Sequence, residues 1–540
     1  MRRFAAAVVL LTLALAAAAG PSVGQQPGAG EIATDPAPSI TAVYPNPIAD
    51  GDSGEFVALS VPNGTDLSTY RLGDDEGAAD LPNRTASGRI VLASDPDAVP
   101  SSVAGPIVDC EGCPELANSG EPLTLRGPNE VADTVEYTAA PEGEVFSPGA
   151  DRRWRPLGAT DFDPVVGGPS QVTAFTLPDS PDVPHEMLVE ADERILLAGY
   201  TLTDKRVVDA LVAARERGVE TRVLLEGSPV GGLTTQSAQA LDRLAAANVS
   251  VRLIDGPAAR YRFHHPKYAV VDDEAVVLTE NWKPAGVGGT SSRGWGVVVD
   301  SKTVVTGLER TFRADSGWRD AISWERLREN ASFEPASPST GRYPSRIEPE
   351  SFAAERVELL VAPDNAAGRV REILANASDS IRIVQMSIGG RDDILLRESV
   401  DAARRGVDVE ILLSSAWYTR EENRDLAKRI RQVAGREDLP LSVRLAESDG
   451  RYEKIHAKGV VVDGDTAIVG SLNWNANAYR ENREVAVVVH GEEAGEYFGA
   501  VFERDWEGGI TLVPVGLLAV AVLALSLAGT VARRINFDPE

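Results

Sequence analysis

Cysteine is almost absent from the 540-residue chain, which has only Cys110 and Cys113, in the sequence DCEGC. Two thiolates are too few ligands for a structural zinc site. No thioredoxin-like alternation of strands and helices surrounds them, which argues against redox catalysis. The pair is therefore interpreted as a local disulfide formed in an oxidising compartment.

Lysine and histidine are also scarce, with seven and five residues in a chain whose net charge is −28. A dense acidic surface with few lysines favours a protein that works in concentrated salt, because the salt screens the self-repulsion. An ordinary acidic exported protein is the alternative interpretation. Such a surface repels nucleic acid at low salt but not at molar salt, so charge alone does not exclude a nuclease.

Long hydrophobic runs occur at the two ends of the chain. Residues 1–25 begin with arginines, continue with an apolar run and end in small residues, which is the pattern of a signal peptide. Residues 510–532 carry no charge and are long enough to cross a bilayer, which needs roughly 20 residues. Arg533 and Arg534 follow, which predicts a cytoplasmic tail. We expect an exported protein on the extracellular side, anchored in the cell membrane by one C-terminal transmembrane helix.

Residues 38–139 read as short strands broken by Gly, Pro, Asn and Asp, and no helical period is present. This pattern predicts an all-β sandwich. The phrases AVYPNP, GEFVAL and LANSGEPLTLRGPNEVADTVEY resemble the lamin-tail domain, an immunoglobulin-like β-sandwich of many exported microbial proteins. The resemblance implies an accessory or binding module, whose ligand the sequence does not name.

The rest of the chain alternates predicted strands and helices twice, in residues 183–320 and 353–508. The phrase ARERGVETRVLLEG in the first copy matches ARRGVDVEILLSS in the second. A Pro/Ser-rich linker, residues 335–350, separates the copies. Such a repeat predicts a duplicated α/β fold of two βαβα halves, each with a mixed sheet covered by helices.

Each copy carries one H-x-K-x4-D motif near its end. The first is His265, Lys267 and Asp272, and the second is His456, Lys458 and Asp463. In a strand, residues i and i+2 share a face, so the His and Lys of each motif point the same way. The neighbouring His264 falls on the opposite face and is predicted to stay outside the site.

The hairpin after each motif predicts which side chains join this face. We expect a two-residue turn at Gly464–Asp465 in the second copy and a three-residue loop at Asp272–Glu274 in the first. The facing pairs would then be Asp463–Thr466, Lys458–Ser471, His456–Asn473, His265–Asn281 and Lys267–Thr279. Imidazole, ammonium, hydroxyl and carboxamide on one face form a set that binds an oxyanion and carries a nucleophile or an acid.

The two motifs, with TENW and GSLNW after them, resemble the phospholipase D superfamily over residues 185–507. This resemblance implies that one histidine attacks phosphorus and forms a phosphohistidine. The other histidine would protonate the leaving oxygen and then activate water or an acceptor alcohol. The lysines and the Asn, Ser and Thr donors would hold the phosphate oxygens, Asp272 and Asp463 would support them, and neither a metal nor a cofactor is implied.

The family also has a carboxylate after the second motif that orients the histidine of that motif. Here the matching residue is Glu484, whereas the first copy has Gly294 at its counterpart and Leu278 where the second has Gly470. The resemblance therefore supplies no orienting carboxylate for His265. The residues themselves leave open which histidine attacks, and family precedent favours His265 as the nucleophile and His456 as the acid.

Three functions follow as hypotheses. The first is a phospholipase D-like phosphodiesterase that hydrolyses or transfers phospholipid headgroups, favoured by the predicted anchor beside a bilayer. The second is a metal-independent extracellular nuclease of the same superfamily, and the third is an inactive surface binding protein. Turnover of lipid or DNA, and its loss in His265→Ala and His456→Ala, distinguishes them.

Overall fold

The computed structural model describes residues 37–47, 50–100, 103–149, 153–256 and 259–508. The predicted signal peptide and the predicted transmembrane helix lie outside these residues. Within them, no helix combines the length and the apolar character needed to cross a membrane.

The N-terminal part consists of strands and two short 3-10 helices, Asp50–Asp52 and Leu67–Thr69. Its strands are β1 (Ser39–Tyr44), β2 (Phe56–Asp66), β3 (Arg71–Gly73), β4 (Ala78–Asp80), β5 (Thr85–Ala93), β6 (Ile107–Asp109), β7 (Gly120–Arg126), β8 (Val131–Thr138), β9 (Glu144–Ser147) and β10 (Arg153–Pro156). They form a six-stranded sheet, β10-β9-β1-β2-β5-β6, and a four-stranded sheet, β4-β3-β7-β8.

The two sheets share one apolar core, to which Val43 and Leu59 contribute from the first sheet and Leu72 and Leu125 from the second. Alternating side chains supply it, and the other face of the first sheet carries a second buried cluster that includes Tyr44 and Phe56. The first sheet also includes β9 and β10, which lie beyond residue 139, where the sequence predicts the end of this region. Cys110 and Cys113 are joined by a disulfide.

The first α/β half begins with β11 (Val165–Gly167) and β12 (Ser170–Leu177). It continues with α1 (Asp182–Glu190), β13 (Arg194–Gly199), α2 (Lys205–Arg217), β14 (Glu220–Glu226), α3 (Thr235–Ala246), β15 (Ser250–Ile254), β16 (Tyr268–Val271), β17 (Glu274–Leu278), β18 (Ser292–Val299), α4 (Lys302–Ser316), β19 (Ala321–Ser323) and α5 (Trp324–Arg328).

The second half repeats this order. Its elements are β20 (Glu350–Ala354), β21 (Arg356–Ala362), α6 (Ala366–Asn376), β22 (Ser380–Gln385), α7 (Ile394–Arg404), β23 (Asp408–Leu413), α8 (Arg420–Glu437), β24 (Leu441–Leu445), β25 (Lys454–Ile455), β26 (Lys458–Val462), β27 (Thr466–Gly470), α9 (Ala476–Arg480), β28 (Glu484–His490) and α10 (Glu492–Trp506).

Each half has a mixed sheet, as the alternating pattern predicts. The first has the order β19-β15-β14-β13-β16-β17-β18-β12-β20, and the second β11-β21-β28-β27-β26-β22-β23-β24. Strands β13, β14 and β15 are parallel, while β16 runs antiparallel to β13. Strands β22, β23, β24 and β26 repeat this arrangement. The start of each motif strand therefore lies beside the carboxyl end of a parallel strand, the edge where α/β sheets place their ligands.

Local sequence signals explain the helices. Helix α2 begins at the N-cap Asp204, whose carboxylate accepts the N–H groups of Arg206 and Val207. Its buried residues Val207, Val208, Leu211 and Ala214 recur at helical spacing and pack on the sheet.

The two halves exchange strands at their edges. Strand β11 joins the sheet of the second half by pairing with β21. Strand β20 joins the sheet of the first half by pairing with β12. Between the two halves, residues 335–349 of the predicted linker form neither helix nor strand. This segment still packs on the fold, because Ile347 is buried and the Ser339 hydroxyl donates to the Thr290 carbonyl (2.9 Å). The copies are thus tied together by pairing as well as by the chain.

Two buried arginines at equivalent positions form crossed ion pairs between the halves. Arg483 contacts Asp364 in its own half and Asp315 in the other, at 3.4 and 2.9 Å. Arg293 likewise pairs with Asp179 in its own half, and its Nε lies 2.9 Å from Asp505 Oδ2 in the other. These pairs place the start of β18 against the motif of the second copy, and the start of β28 against that of the first.

Candidate active site

The histidine of each motif is held by the backbone of the other copy. The His265 N–H donates to the Arg483 carbonyl (2.9 Å), and the His456 N–H donates to the Arg293 carbonyl (3.0 Å). Because the two arginines are equivalent, the contacts are related by the duplication. Both motifs consequently lie at the junction of the halves.

His265 has a well-defined ring orientation. Its Nδ1 lies 2.9 and 2.8 Å from the two carboxylate oxygens of Glu484, which is fully buried. Asn482 holds that carboxylate through a 3.0 Å hydrogen bond from Nδ2, and the Tyr200 ring packs edge-on against the imidazole at 4.8 Å. A carboxylate at Nδ1 fixes the proton there, which leaves Nε2 with its lone pair for a reacting atom.

His456 has a carboxylate partner that the sequence interpretation missed. Its Nδ1 lies 3.2 Å from Oε2 of Glu280, which is in TENW of the first copy. Residue 294 is glycine, and a Cβ there would lie only 2.2 Å from Glu280 Cγ. Glu280 therefore occupies the space that a side chain at 294 would need.

The expected assignment of carboxylates is corrected by these contacts. Glu484 follows the second motif but orients the histidine of the first. The residue that would orient His456 in the same way is Gly294, and Glu280 supplies the missing carboxylate. The reason is the crossed packing of the halves, which brings each strand start to the opposite motif. Each histidine thus has a buried carboxylate from the other copy.

Both motif lysines are buried at the same junction. Lys458 Nζ donates to the Thr279 carbonyl of the first copy (3.3 Å) and lies 3.1 Å from His456 Nδ1. Lys267 Nζ lies 5.6 Å from the centre of the Tyr200 ring. Burial lowers the pKa of Lys267 well below its usual value, and it lowers the pKa of Lys458 to about 8, although nearby carboxylates oppose the effect.

Burial favours the neutral form of both histidines. Burial lowers the pKa of His265 to about 4, against the opposing charge of Glu484 and with the help of Lys267. Burial also lowers the pKa of His456 to about 4, against Glu280 and with the help of Lys458. A phosphate anion between them would offset the lysine charges and favour protonation of one imidazole.

Two carboxamides complete the set. Asn281 and Asn473 stand at equivalent positions directly before Trp282 and Trp474. The Oδ1 atoms of both are buried and have no hydrogen-bond partner among the described residues. Unpartnered buried polar groups are rare in folded proteins and are common where a ligand binds. The site therefore brings together two imidazoles and two lysine side chains, and each carboxamide would contribute a donor to an oxyanion through its Nδ2 group.

This chemistry agrees with comparisons of the whole chain. The family model for cardiolipin synthase, PLD-like domain, matches residues 185–316 and 370–506. These two regions belong to the phospholipase D-like superfamily. A probable phospholipase D of Caenorhabditis elegans is 25% identical over 348 residues, which are 56% of this chain and 59% of that protein.

Two further comparisons differ in how much of the chain they cover. A mitochondrial cardiolipin hydrolase of Xenopus laevis is 26% identical over 144 residues, 27% of this chain and 62% of that protein. The crystal structure of phosphatidylserine synthase from Haemophilus influenzae aligns with a TM-score of 0.47 and 14% identity, over 63% of this chain and 87% of that one. The alignments with curated relatives span less than two thirds of the relatives' own lengths.

The hairpin registers differ from the expected ones by one residue in both copies. Val462 pairs with Thr466, so the second copy has a three-residue loop, Asp463–Asp465. Val271 pairs with Glu274, so the first copy has a two-residue turn, Asp272–Asp273. Both aspartates that begin the turns have positive φ, 51° and 50°, a conformation that the hydrophobic pattern does not reveal.

The shifted register changes which residues accompany the lysines. Lys267 now lies opposite Leu278, whose N–H donates to the Lys267 carbonyl (2.8 Å). Glu280, two residues further on, shares the parity of Leu278 and hence the face of Lys267. The correct turn length would therefore have placed Glu280 in the predicted site. The glycine at 294, where the second copy has Glu484, is a second signal for a carboxylate from elsewhere in the chain.

Thr279 and Ser471 are assigned a structural role in place of phosphate binding. The Thr279 hydroxyl accepts the N–H of Trp295 (2.9 Å), and the Ser471 hydroxyl accepts the N–H of Val485 (3.0 Å). Each hydroxyl thus ties the end of one strand to its neighbour. The one-residue change of register is the reason, because it turns both side chains away from the face of the lysines.

Asp272 and Asp463 hold the opposite ends of the motif strands. The Asp272 carboxylate accepts the N–H groups of Asp192, Glu193 and Arg194 at 2.8–2.9 Å. Asp463 accepts the equivalent N–H groups of residues 378–380. Burial raises the pKa of each, but the backbone donors outweigh it and lower the pKa overall. Both are structural supports.

His264 lies away from His265, as its position in the strand predicts. It is fully buried, its N–H donates to Glu226 (2.6 Å), and its Nε2 lies 3.6 Å from Asp315. It therefore packs against the crossed ion pairs. Among the residues that the structure describes, no group of three or more His, Cys, Asp or Glu side chains is arranged to hold a metal ion.

Proposed function

We propose that this protein cleaves phosphodiesters of phospholipid headgroups, by hydrolysis or by transfer to an alcohol, through a phosphohistidine intermediate. The observation that carries the proposal is the pair of imidazoles, each with a buried carboxylate from the other copy at Nδ1. Two imidazoles held in this way suit a reaction that needs a nucleophile and an acid at the same time.

In the first step, the lone pair of His265 Nε2 attacks phosphorus. The bond from phosphorus to the leaving oxygen breaks, and that oxygen takes the proton of His456. His265 is assigned as the nucleophile because Glu484 contacts its Nδ1 with both oxygens, at 2.8 and 2.9 Å, and so fixes the reactive tautomer. Lys267, Lys458 and the two carboxamides stabilise the charge that grows on the phosphate oxygens.

In the second step, neutral His456 takes a proton from water or from an acceptor alcohol. The resulting oxygen nucleophile attacks phosphorus, and the bond from phosphorus to His265 breaks. The product is released with His265 neutral and His456 protonated again. Glu280 stabilises the positively charged imidazolium form of His456 before the first step and after the second.

Three observations support a lipid as the substrate. Curated relatives include a probable phospholipase D and a mitochondrial cardiolipin hydrolase. The net charge of −28 disfavours polyanionic nucleic acid except at high salt. The predicted export signal and C-terminal anchor favour work beside a bilayer at the cell surface. We assign the N-terminal sandwich, with its resemblance to the lamin-tail domain, an accessory role.

The test is turnover by the purified chain in high salt without added divalent metal, on phospholipid in mixed micelles and on single- and double-stranded DNA. We expect release of headgroup alcohol from lipid, lost in His265→Ala and in His456→Ala and retained in the control His185→Ala, which lies on helix α1. Cleavage of DNA alone would favour a nuclease. Turnover that survives both active-site substitutions would refute the mechanism.

A further inference from the structure

Two loops with exposed apolar tips flank the histidine pair. The Val230 loop, residues 227–234, connects β14 to α3, and the Trp417 loop, residues 414–419, connects β23 to α8. Strands β14 and β23 are equivalent in the two copies, so the loops occupy matching positions. Both leave the carboxyl ends of parallel strands, the edge at which the motif histidines lie.

The tips of these loops are the most exposed large apolar side chains in the described part of the chain. Trp417 is 84% exposed and Val230 is 80% exposed, whereas the next, Val166, is 55% exposed. Single exposed apolar residues are ordinary on protein surfaces. Their occurrence at the same position of both copies, beside the active site, is what requires an explanation.

Direct contacts connect the Val230 loop with His265. The Val230 N–H donates to the Tyr200 hydroxyl (2.6 Å), and the Tyr200 ring packs against the His265 ring at 4.8 Å. The exposed tip is therefore one side chain removed from the catalytic imidazole. Because the contact uses the backbone of residue 230, the valine side chain itself is not needed for it.

The Trp417 loop contacts the chain segment that leads into the other motif. The Trp417 ring packs edge-on against Tyr418 at 5.5 Å, and the Tyr418 hydroxyl lies 3.9 Å from Met386 Sδ. Lys454 Nζ lies 5.3 Å from the centre of the Tyr418 ring, and Lys454 precedes His456 by two residues. Met386 directly follows β22, as Tyr200 directly follows β13. The two residues therefore occupy matching positions in the two copies.

Positive charge lies beside the Trp417 loop, where Lys454 contacts Tyr418, whereas Ser228 of the Val230 loop donates to the carboxylates of Glu226 and Asp255. Lys283 and Lys454 influence one another electrostatically, and Lys283 also influences Lys267. Burial lowers the pKa of Lys283, and the nearby carboxylate of Glu280 opposes this effect. Four of the seven lysines of the chain thus gather around this site in a protein whose net charge is −28. This concentration of lysine makes the edge less hostile to anionic groups than the rest of the acidic surface.

We propose that the Val230 and Trp417 loops dock the active site onto a lipid surface that contains anionic phospholipid, an inference that rests on the proposed function. A lipid surface suits two exposed apolar tips that occupy matching positions in the two copies. Tryptophan is favoured at the boundary between acyl chains and headgroups, and valine is favoured below it. Stacking on a nucleobase would explain Trp417 but not Val230, which has no aromatic face.

The experiment compares the full chain with the double variant Val230→Ser/Trp417→Ser on vesicles of phosphatidylglycerol and phosphatidylcholine. Every variant carries the same residues 509–540, so any binding through that segment is constant. The control variant Val131→Ser/Val166→Ser removes exposed valines from β8 and from edge strand β11. Turnover of soluble bis(4-nitrophenyl) phosphate reports on the chemistry without a surface.

We expect vesicle affinity and turnover of vesicle lipid to fall at least about tenfold in the loop variant. Turnover of the soluble diester should stay unchanged, and the control variant should match the parent chain in every assay. Brominated acyl chains should quench tryptophan fluorescence of the parent chain more than that of Trp417→Ser.

Equal vesicle binding by the loop variant and the parent chain would overturn the proposal. So would a dependence on Trp417 that is seen with a single-stranded oligonucleotide and not with vesicles. If vesicle binding depends on both tips but lipid is not cleaved, the docking surface stands and the proposed lipid phosphodiesterase activity fails. The two results are therefore distinguishable.

Discussion

Glu280 Oε2 lies 3.2 Å from His456 Nδ1, although Glu280 belongs to the first copy and occupies a position where the second copy has Leu472. The equivalent carboxylate in the second copy comes from Glu484, eleven residues after Asn473. The two copies thus supply the same group from different points of the chain. Gly294 is the complement of this change, because a Cβ there would meet Glu280.

The first prediction concerns this relocated carboxylate. Glu280→Gln should lower kcat by about 10²- to 10⁴-fold, because His456 loses the charge that stabilises its imidazolium. KM should change far less, since the lysines and carboxamides remain. Turnover of a soluble diester at several pH values is the measurement.

A pair of further variants separates positioning from folding. Gly294→Glu alone should be inactive, because the new side chain collides with Glu280. The double variant Glu280→Leu/Gly294→Glu reproduces the arrangement of the second copy and should recover much of the activity lost in Glu280→Leu. No recovery in the double variant would argue that Glu280 acts in some other way than through His456.

A second prediction identifies the nucleophile. His456→Ala removes the base of the second step, whereas a substrate with a 4-nitrophenol leaving group needs little acid in the first. We expect a burst of about one equivalent of 4-nitrophenol, followed by a stalled phosphohistidine on His265. Mass spectrometry of the quenched protein checks the adduct. A burst in His265→Ala in place of His456→Ala would reverse the two roles.

Much of the fold could be predicted from the sequence because the relevant signals are local. Alternating strand and helix patterns appear twice, and both mixed sheets follow from them. The exchange of β11 and β20 between sheets, and the crossed carboxylates, could not be predicted. They depend on how two distant segments pack, for which a single sequence with no covariation carries no periodic signal.

The sequence predicted the catalytic histidines and lysines of the candidate site but not the residues that surround them. The motifs themselves identify His265, His456 and their lysines by residue type and spacing. The side chains predicted to accompany these residues depended on the assumed length of the hairpin turn. Because that length was wrong by one residue, Thr279 was placed on the reactive face in place of Glu280. The turn lengths were wrong because Asp272 and Asp463 adopt a left-handed backbone conformation that the spacing of the motif does not reveal. Each carboxylate accepts three backbone N–H groups and holds its turn in place.

A third prediction concerns protonation. In the empty protein, His265 and His456 should remain neutral as pH falls below 6.5 and should gain a proton only near pH 4, because burial disfavours the charged form. NMR of ¹³C-labelled histidine, assigned with His265→Ala and His456→Ala, measures both titrations. Added inorganic phosphate should raise the pKa of at least one of them, since its charge offsets that of Lys267 and Lys458. Titration near 6.5 without phosphate would contradict the burial argument.

The last prediction tests the crossed ion pairs that bring the motifs together. Arg483 is fully buried between Asp315 and Asp364, so Arg483→Met removes the paired cation from buried Asp315 and leaves Asp364 with Arg155 alone, at 2.7 Å. We expect the free energy of unfolding, measured in urea, to fall by about 3–5 kcal/mol. The control Arg371→Met removes an exposed arginine from Glu398, which keeps a second partner in Arg405, and should cost under about 1 kcal/mol. Because the Arg483 carbonyl also accepts the His265 N–H, activity below the unfolding transition should fall in Arg483→Met and persist in the control. An equal loss of stability in both variants would mean that the crossed pairs do not join the halves.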